Sequence, residues 1–145
     1  MTLTEAEVKR LESAITEAEK MTSGEIRLHI EDHCSVDPLT YARKAFERLG
    51  MHKTAARNAV ILYLAILDHK VAIYGDKGIN NTVGLNYWSS IIEIITTDAR
   101  NGDLVSGLEK ALLELGTVLK KYYPYKEGDT NELDNTITYQ RHSTS

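Results

Sequence analysis

The sequence predicts an α/β fold: a three-layer α/β/α sandwich around a mixed three- or four-stranded sheet. Three observations carry this expectation. Helix-period apolar stripes alternate with short β-rich runs, two of those runs are joined by a three-residue polar turn, and the 145 residues suit one domain with a real core.

The first helix is expected from about Thr4 to Met21, because Thr4 and Glu7 make a capping box and Val8, Leu11, Ile15 and Ala18 repeat along one face. Gly24 ends it. "EIRLHIE" then alternates, with Ile26, Leu28 and Ile30 on one side and Glu25, Arg27, His29 and Glu31 on the other, the pattern of a half-buried strand. Asp37-Pro38 supplies a cap and a first-turn proline for a second helix, whose stripe is Tyr41, Ala42, Ala45, Phe46 and Leu49, up to Gly50. "AVILYLAIL", residues 59–67, is apolar throughout, as a central strand covered on both faces should be. Asp68-His69-Lys70 turns it into "VAIYG" to form a hairpin.

Trp88, Ile91, Ile92 and Ile95 mark a further helix. Leu104, Leu108, Ala111, Leu112, Leu115 and Leu119 mark another, and Gly107 and Gly116 inside it point to close backbone packing. Past Pro124 the chain is polar, "TITYQ" adds a candidate edge strand, and a single domain over residues 1–138 with a disordered tail over 139–145 is expected. A right-handed crossover makes the first two strands parallel. The starts of strands one and two (Ser23, Gly24, Glu25; Arg57, Asn58) and the end of strand three (Gly75, Asp76) then share one sheet edge. Glu31, Asp32, His33, Asp68 and His69 share the other, where solvated turns explain them.

Composition narrows the function classes. An apolar fraction of 42% and a charged fraction of 26% are those of a soluble protein, and no apolar run approaches a membrane helix. The acidic, polar amino terminus lacks the pattern of a signal peptide, so a cytoplasmic protein, expected as a monomer, is the reading. Cys34 is the one cysteine and forms no internal disulfide. A net charge of -4 with pI near 5.7 argues against nucleic acid as the main partner.

The stretch "YGDKGINN", residues 74–81, raises three readings: a phosphate loop, a metal loop or a plain turn. It lacks the GKS or GKT ending of a P-loop and the third glycine of a dinucleotide fingerprint. Lys53, Arg57 and Lys77 could still gather an anion at the shared edge. The metal reading rests on oxygen ligands: "GDTNELDN", residues 128–135, packs Asp129, Asn131, Glu132 and Asp134 together, and Asp76, Asn80 and Asn81 stand in the first stretch. Each loop alone is short of the six to eight ligands Ca2+ takes. Together, with Glu25, they suffice for one ion, so Glu25, Asp76, Asn80, Asp129, Asn131 and Glu132 are the candidate ligands for Ca2+, Mg2+ or Mn2+. Histidine and cysteine are too scattered for zinc, and neighbours Cys34 and His33 on an extended chain point apart, so no Cys-His dyad follows.

Four runs, "TSGEIRLHIE", "LGMHKTAARNAVILYLA", "AIYGDKGIN" and "YYPYKEGDTNEL", fall in an order that resembles the TPM domain family, in its short stand-alone bacterial branch, over about residues 3–138. Asp134 and Thr97-Asp98 depart from that family's pattern. The resemblance implies an α/β/α domain. A plant thylakoid relative described as an acid phosphatase adds an enzymatic alternative, metal-dependent because no nucleophile is in view. Two functions are therefore expected to compete: a divalent-metal-binding regulatory or interaction module with an unidentified protein partner, and a metal-dependent acid phosphatase.

Overall fold

The computed structural model describes residues 3–54, 56–83, 85–125 and 137–140. Helix α1 (Glu5–Glu19) leads to strand β1 (Glu25–Glu31), and helix α2 (Pro38–Arg48) carries the chain over to β2 (Ala59–Ala65). The hairpin partner β3 (Lys70–Gly75) is followed at once by a short helix, α3 (Lys77–Val83). Helices α4 (Ser89–Arg100) and α5 (Leu104–Tyr122) come next, and β4 (Thr138–Gln140) is the last described element.

The sheet order is β3-β2-β1-β4. β1 lies parallel to β2, with Glu25 opposite Ala59, and β2 is antiparallel to β3. β4 adds in parallel to the free side of β1. The mixed sheet, the crossover and the internal position of β2 are those expected, and "TITYQ" does supply a strand. Tyr139 and Gln140 therefore belong to β4, while residues 141–145 lie outside the described residues.

Two apolar cores flank the sheet. On one face α5 lies between α1 and α4, and Leu11, Ile15, Leu108, Leu112 and Leu119 meet Ile26, Leu28, Val60, Leu62 and Ile73. On the other, Ala42, Ala45 and Phe46 of α2 meet Ala59, Ile61, Tyr63 and Ala72. This is the three-layer sandwich. The capping box of α1 is formed, Glu7 N–H donating to Thr4 Oγ1 at 3.1 Å and Thr4 N–H to Glu7 Oε1 at 2.8 Å. The α5 glycines are packing sites: a Cβ on Gly116 would stand 2.8 Å from Ala18 Cα, and one on Gly107 would stand 2.9 Å from Asp98 Cβ.

Three expectations need correction. β1 is buried along all seven residues, because it is an interior strand between β2 and β4 and its polar face is occupied by other protein groups. Asp37 precedes α2 but its side chain accepts no backbone N–H; proline at the first helical position leaves one fewer donor to cap. Lastly, "YGDKGINN" is neither a loop nor a plain turn: it is the end of β3 and the start of α3.

Candidate functional site

The shared sheet edge forms as the topology requires. Asp76 follows β3, and its N–H donates to Ala59 O at 2.9 Å, so Asp76 extends the β3 register to the residue that faces Glu25 on β1. Two strand spacings put the Glu25 and Asp76 backbones about 10 Å apart. Both side chains are buried, at 3% relative exposure each.

Asp76 organises its surroundings. Its Oδ2 accepts from Arg57 Nε at 2.6 Å and its Oδ1 from Arg57 Nη2 at 2.9 Å, a two-pronged pair, and Oδ1 also accepts Lys77 N–H at 2.8 Å. Its carbonyl accepts the N–H groups of Ile79 and Asn80. Arg57 reaches this position from a left-handed backbone, φ 52°, unusual for a residue with a side chain. Gly78 lets the two segments touch: its N–H donates to Arg57 O at 3.0 Å, and a Cβ would stand 2.5 Å from that oxygen and 2.6 Å from Ala56 O. Only glycine fits there. Asn80, on the first turn of α3, keeps its Oδ1 buried beside Gly75 with no partner among the described residues.

A cleft of about 330 Å³ opens beside the pair, lined by Phe46, Glu47, His52, Arg57, Tyr74 and Asp76. His52 Nδ1 is buried there without a hydrogen-bond partner among the described residues. Arg57 donates to Asp76 instead of standing free to join Lys53 and Lys77 around an anion. The Arg57 side chain is about two-fifths exposed, whereas the carboxylate it pairs with is buried.

At the start of β1, Glu25 meets a residue that sequence reasoning passed over. Glu19 ends α1, its Oε2 accepts Ile26 N–H at 2.9 Å, and its Oε1 is buried. Burial, and then the hydrogen bond and charge of Glu25, push the Glu19 carboxyl up to about 9, against the lowering by the Ile26 N–H. Two carboxyl groups share this corner, so one of them keeps its proton at neutral pH. Asp129, Asn131, Glu132 and Asp134 lie outside the described residues. Among the described residues, no three histidine, cysteine, aspartate or glutamate side chains converge as a metal site would require.

The opposite edge is structural. Asp68 accepts Cys34 N–H on Oδ2 at 2.7 Å and faces His33 Nδ1 from Oδ1 at 2.9 Å. These bonds, His33 first, hold its carboxyl below the usual range. Glu31 turns instead into the sheet, accepting from Tyr63 Oη at 2.6 Å with His29 Nε2 at 3.3 Å, while His29 Nδ1 meets Thr138 Oγ1 at 2.7 Å. This buried polar chain was not anticipated. Tyr63 was its visible signal, since a tyrosine in an otherwise aliphatic central strand needs a partner for its hydroxyl.

Comparison with known proteins gives the geometry a lineage. The model of the TPM domain family matches residues 1–118, while no curated protein matches the chain. Among solved structures, the BA42 protein of the psychrophilic bacterium Bizionia argentinensis is 38% identical, covers 97% of this chain and 97% of its own, and superposes with a TM-score of 0.89. The N-terminal domain of a P. gingivalis protein is similar at 17% identity and a TM-score of 0.66, covering 86% of this chain and 82% of that one. The N-terminal domain of the cg2496 protein of Corynebacterium glutamicum follows at 13% and 0.52, covering 99% and 84%. Those two share the fold. The order of elements, the family match and the end-to-end likeness to BA42 agree that the chain belongs to the TPM domain family.

Proposed function

We propose that this chain is a cytoplasmic module that binds a divalent cation, Ca2+ or Mg2+ with Mn2+ as a third candidate, and that the ion orders a regulatory or interaction surface. The ligands are Glu25, Asp76 and Asn80 from the shared sheet edge with Asp129, Asn131 and Glu132 from the carboxy-terminal segment. The observation that carries the reading is the carboxyl crowding at β1, where Glu19 is pushed up to about 9 beside buried Glu25. Such a corner favours either a proton or a cation, and oxygen donors suit hard ions. The buried Asn80 Oδ1, without a partner among the described residues, adds a neutral oxygen donor at the same edge.

Arg57 competes with a cation for Asp76. Titration with Ca2+, Mg2+ and Mn2+, followed by residue-resolved spectra and by proton release, tests the site. Shifts are expected at Glu25, Asp76 and Asn80, with protons released at neutral pH as an ion on Glu25 relieves the carboxyl crowding that keeps the neighbouring Glu19 protonated. Arg57→Gln should enlarge the metal-induced rise in melting temperature, and the double variant Asp129→Asn, Glu132→Gln should remove it. An undiminished rise in that double variant would exclude the carboxy-terminal segment as a source of ligands.

A metal-dependent phosphatase is the second reading, favoured by the cleft lined by Arg57, Asp76 and His52, whose Nδ1 has no hydrogen-bond partner among the described residues. Assays on a generic phosphate monoester with and without metal should stay at background. Metal-dependent hydrolysis lost on Asp76→Ala would make the chain an enzyme.

A further inference from the structure

A second cleft, about 490 Å³, lies at the other end of the sheet, between the β2–β3 hairpin and the α4–α5 turn. Ile66, Val71, Ile95 and Leu104 form its walls, and His69 and Arg100 stand on its rim. It is the reverse of the Asp76 cleft in chemistry: apolar inside, with no carboxylate in its lining among the described residues, in a chain whose net charge is -4. Arg100 makes no ion pair among the described residues. Gly102, part of the lining, holds a left-handed turn, φ 78°, where an added Cβ would touch nothing within 4 Å.

We propose that this cleft binds a free aliphatic monocarboxylate, the chain lying along the apolar walls and the carboxylate resting on Arg100, with His69 closing the rim. A volume of this size falls in the range of small-molecule sites, which combine apolar walls with a few polar groups that fix orientation. The guanidinium supplies that group, since its planar fork matches a carboxylate's two oxygens. A cationic amphiphile would meet Arg100 as a like charge. This site is independent of the metal reading, which concerns the opposite sheet edge.

The test titrates decanoate into the full chain with methyl-resolved spectra, and decyltrimethylammonium serves as the head-group control. Saturable shifts are expected at the methyls of Ile66, Val71, Ile95 and Leu104, with no comparable response to the ammonium compound. Arg100→Glu should weaken decanoate binding by about tenfold or more, and Ala99→Trp, which fills the mouth, should abolish it. Arg100 is exposed, so both charge variants, Arg100→Glu and the milder Arg100→Gln, should stay folded. The proposal is overturned by an absence of saturable shifts, by equal binding of the two amphiphiles, or by unchanged affinity in both Arg100 variants. Concentration-dependent dimerisation reported by the same methyls without decanoate would assign the cleft to a second copy and also overturn it.

Discussion

At the scale of single residues, the candidate site is governed by what a buried carboxylate can find as a partner. Asp76 finds Arg57, whereas Glu19 finds another carboxyl, Glu25, and holds its proton to about 9 instead of the ordinary 4.5. Below pH 4.5 the folded and unfolded chains both keep that proton. Between 4.5 and about 9 the unfolded chain has released it and the folded chain has not, so raising the pH costs stability throughout that window. His29 acts with the opposite sign. Burial lowers its affinity for a proton below the usual 6.5, so its contribution is present at neutral pH and is lost as the pH falls below that value. Glu19→Gln should therefore flatten the alkaline decline of the melting temperature and leave the acid limb in place. A decline of unchanged slope in that variant, measured by thermal unfolding across the window, would mean that the two carboxyls do not share a proton.

At the scale of elements, the long periodic segments were legible and the short one was not. The stripes of α1 and α5 were readable because helix period and burial agree, and the α5 glycines announced their own use. Gly116 rests on Ala18, so Gly116→Ala would set a methyl 2.8 Å from Ala18 Cα. Alanine gains about 1 kcal/mol of helix propensity, while overpacking typically costs about 1–3 kcal/mol. The net expectation is a loss of about 1 kcal/mol, read by denaturant unfolding, and Ala18→Gly in the same chain should recover part of it. Purely additive losses would show that the two helices are not in contact there. α3 escaped notice for a physical reason. Glycine, two asparagines and threonine are weak helix formers, and the segment is helical because Asp76 receives its first N–H groups and Gly78 docks on the Arg57 carbonyl. Nothing within residues 77–83 encodes those partners. The polar face of β1 misled in the same way, since its alternation is that of a solvent face until Tyr63 and Thr138 supply hydrogen bonds.

At the scale of the whole molecule, chain connectivity was the most readable feature. One crossover and one hairpin suffice to bring Glu25, Arg57 and Asp76 to one edge, yet neither says that Glu19, at the far end of another helix, leans into the same corner. The extent of the folding unit depends on similar long-range closure. The family match ends at residue 118, but α5 runs on to Tyr122, Ser23 N–H and Thr22 Oγ1 both donate to Tyr123 O, and Thr22 pairs with Pro124. β4 then covers the outer side of β1, buries Ile137 and gives His29 Nδ1 its partner. A chain ended after Tyr125 would retain both apolar cores apart from Ile137 and lose that cover. It would turn β1 from an interior strand into an edge with unpaired backbone groups, and leave a buried imidazole nitrogen without a hydrogen bond. The loss of the β1–β4 pairing over three residues and the exposed apolar surface together predict a loss of about 2–4 kcal/mol, with association through the bared edge. Thr138→Val, which keeps the strand and removes the hydroxyl's contacts with His29 Nδ1 and Leu28 O, should cost about 1 kcal/mol and leave the chain's size in solution unchanged. Denaturant unfolding with size-exclusion chromatography separates these outcomes: a truncated chain of full stability and unchanged size would mean that β4 is an accessory and that the folding unit closes at the Thr22–Pro124 pairing.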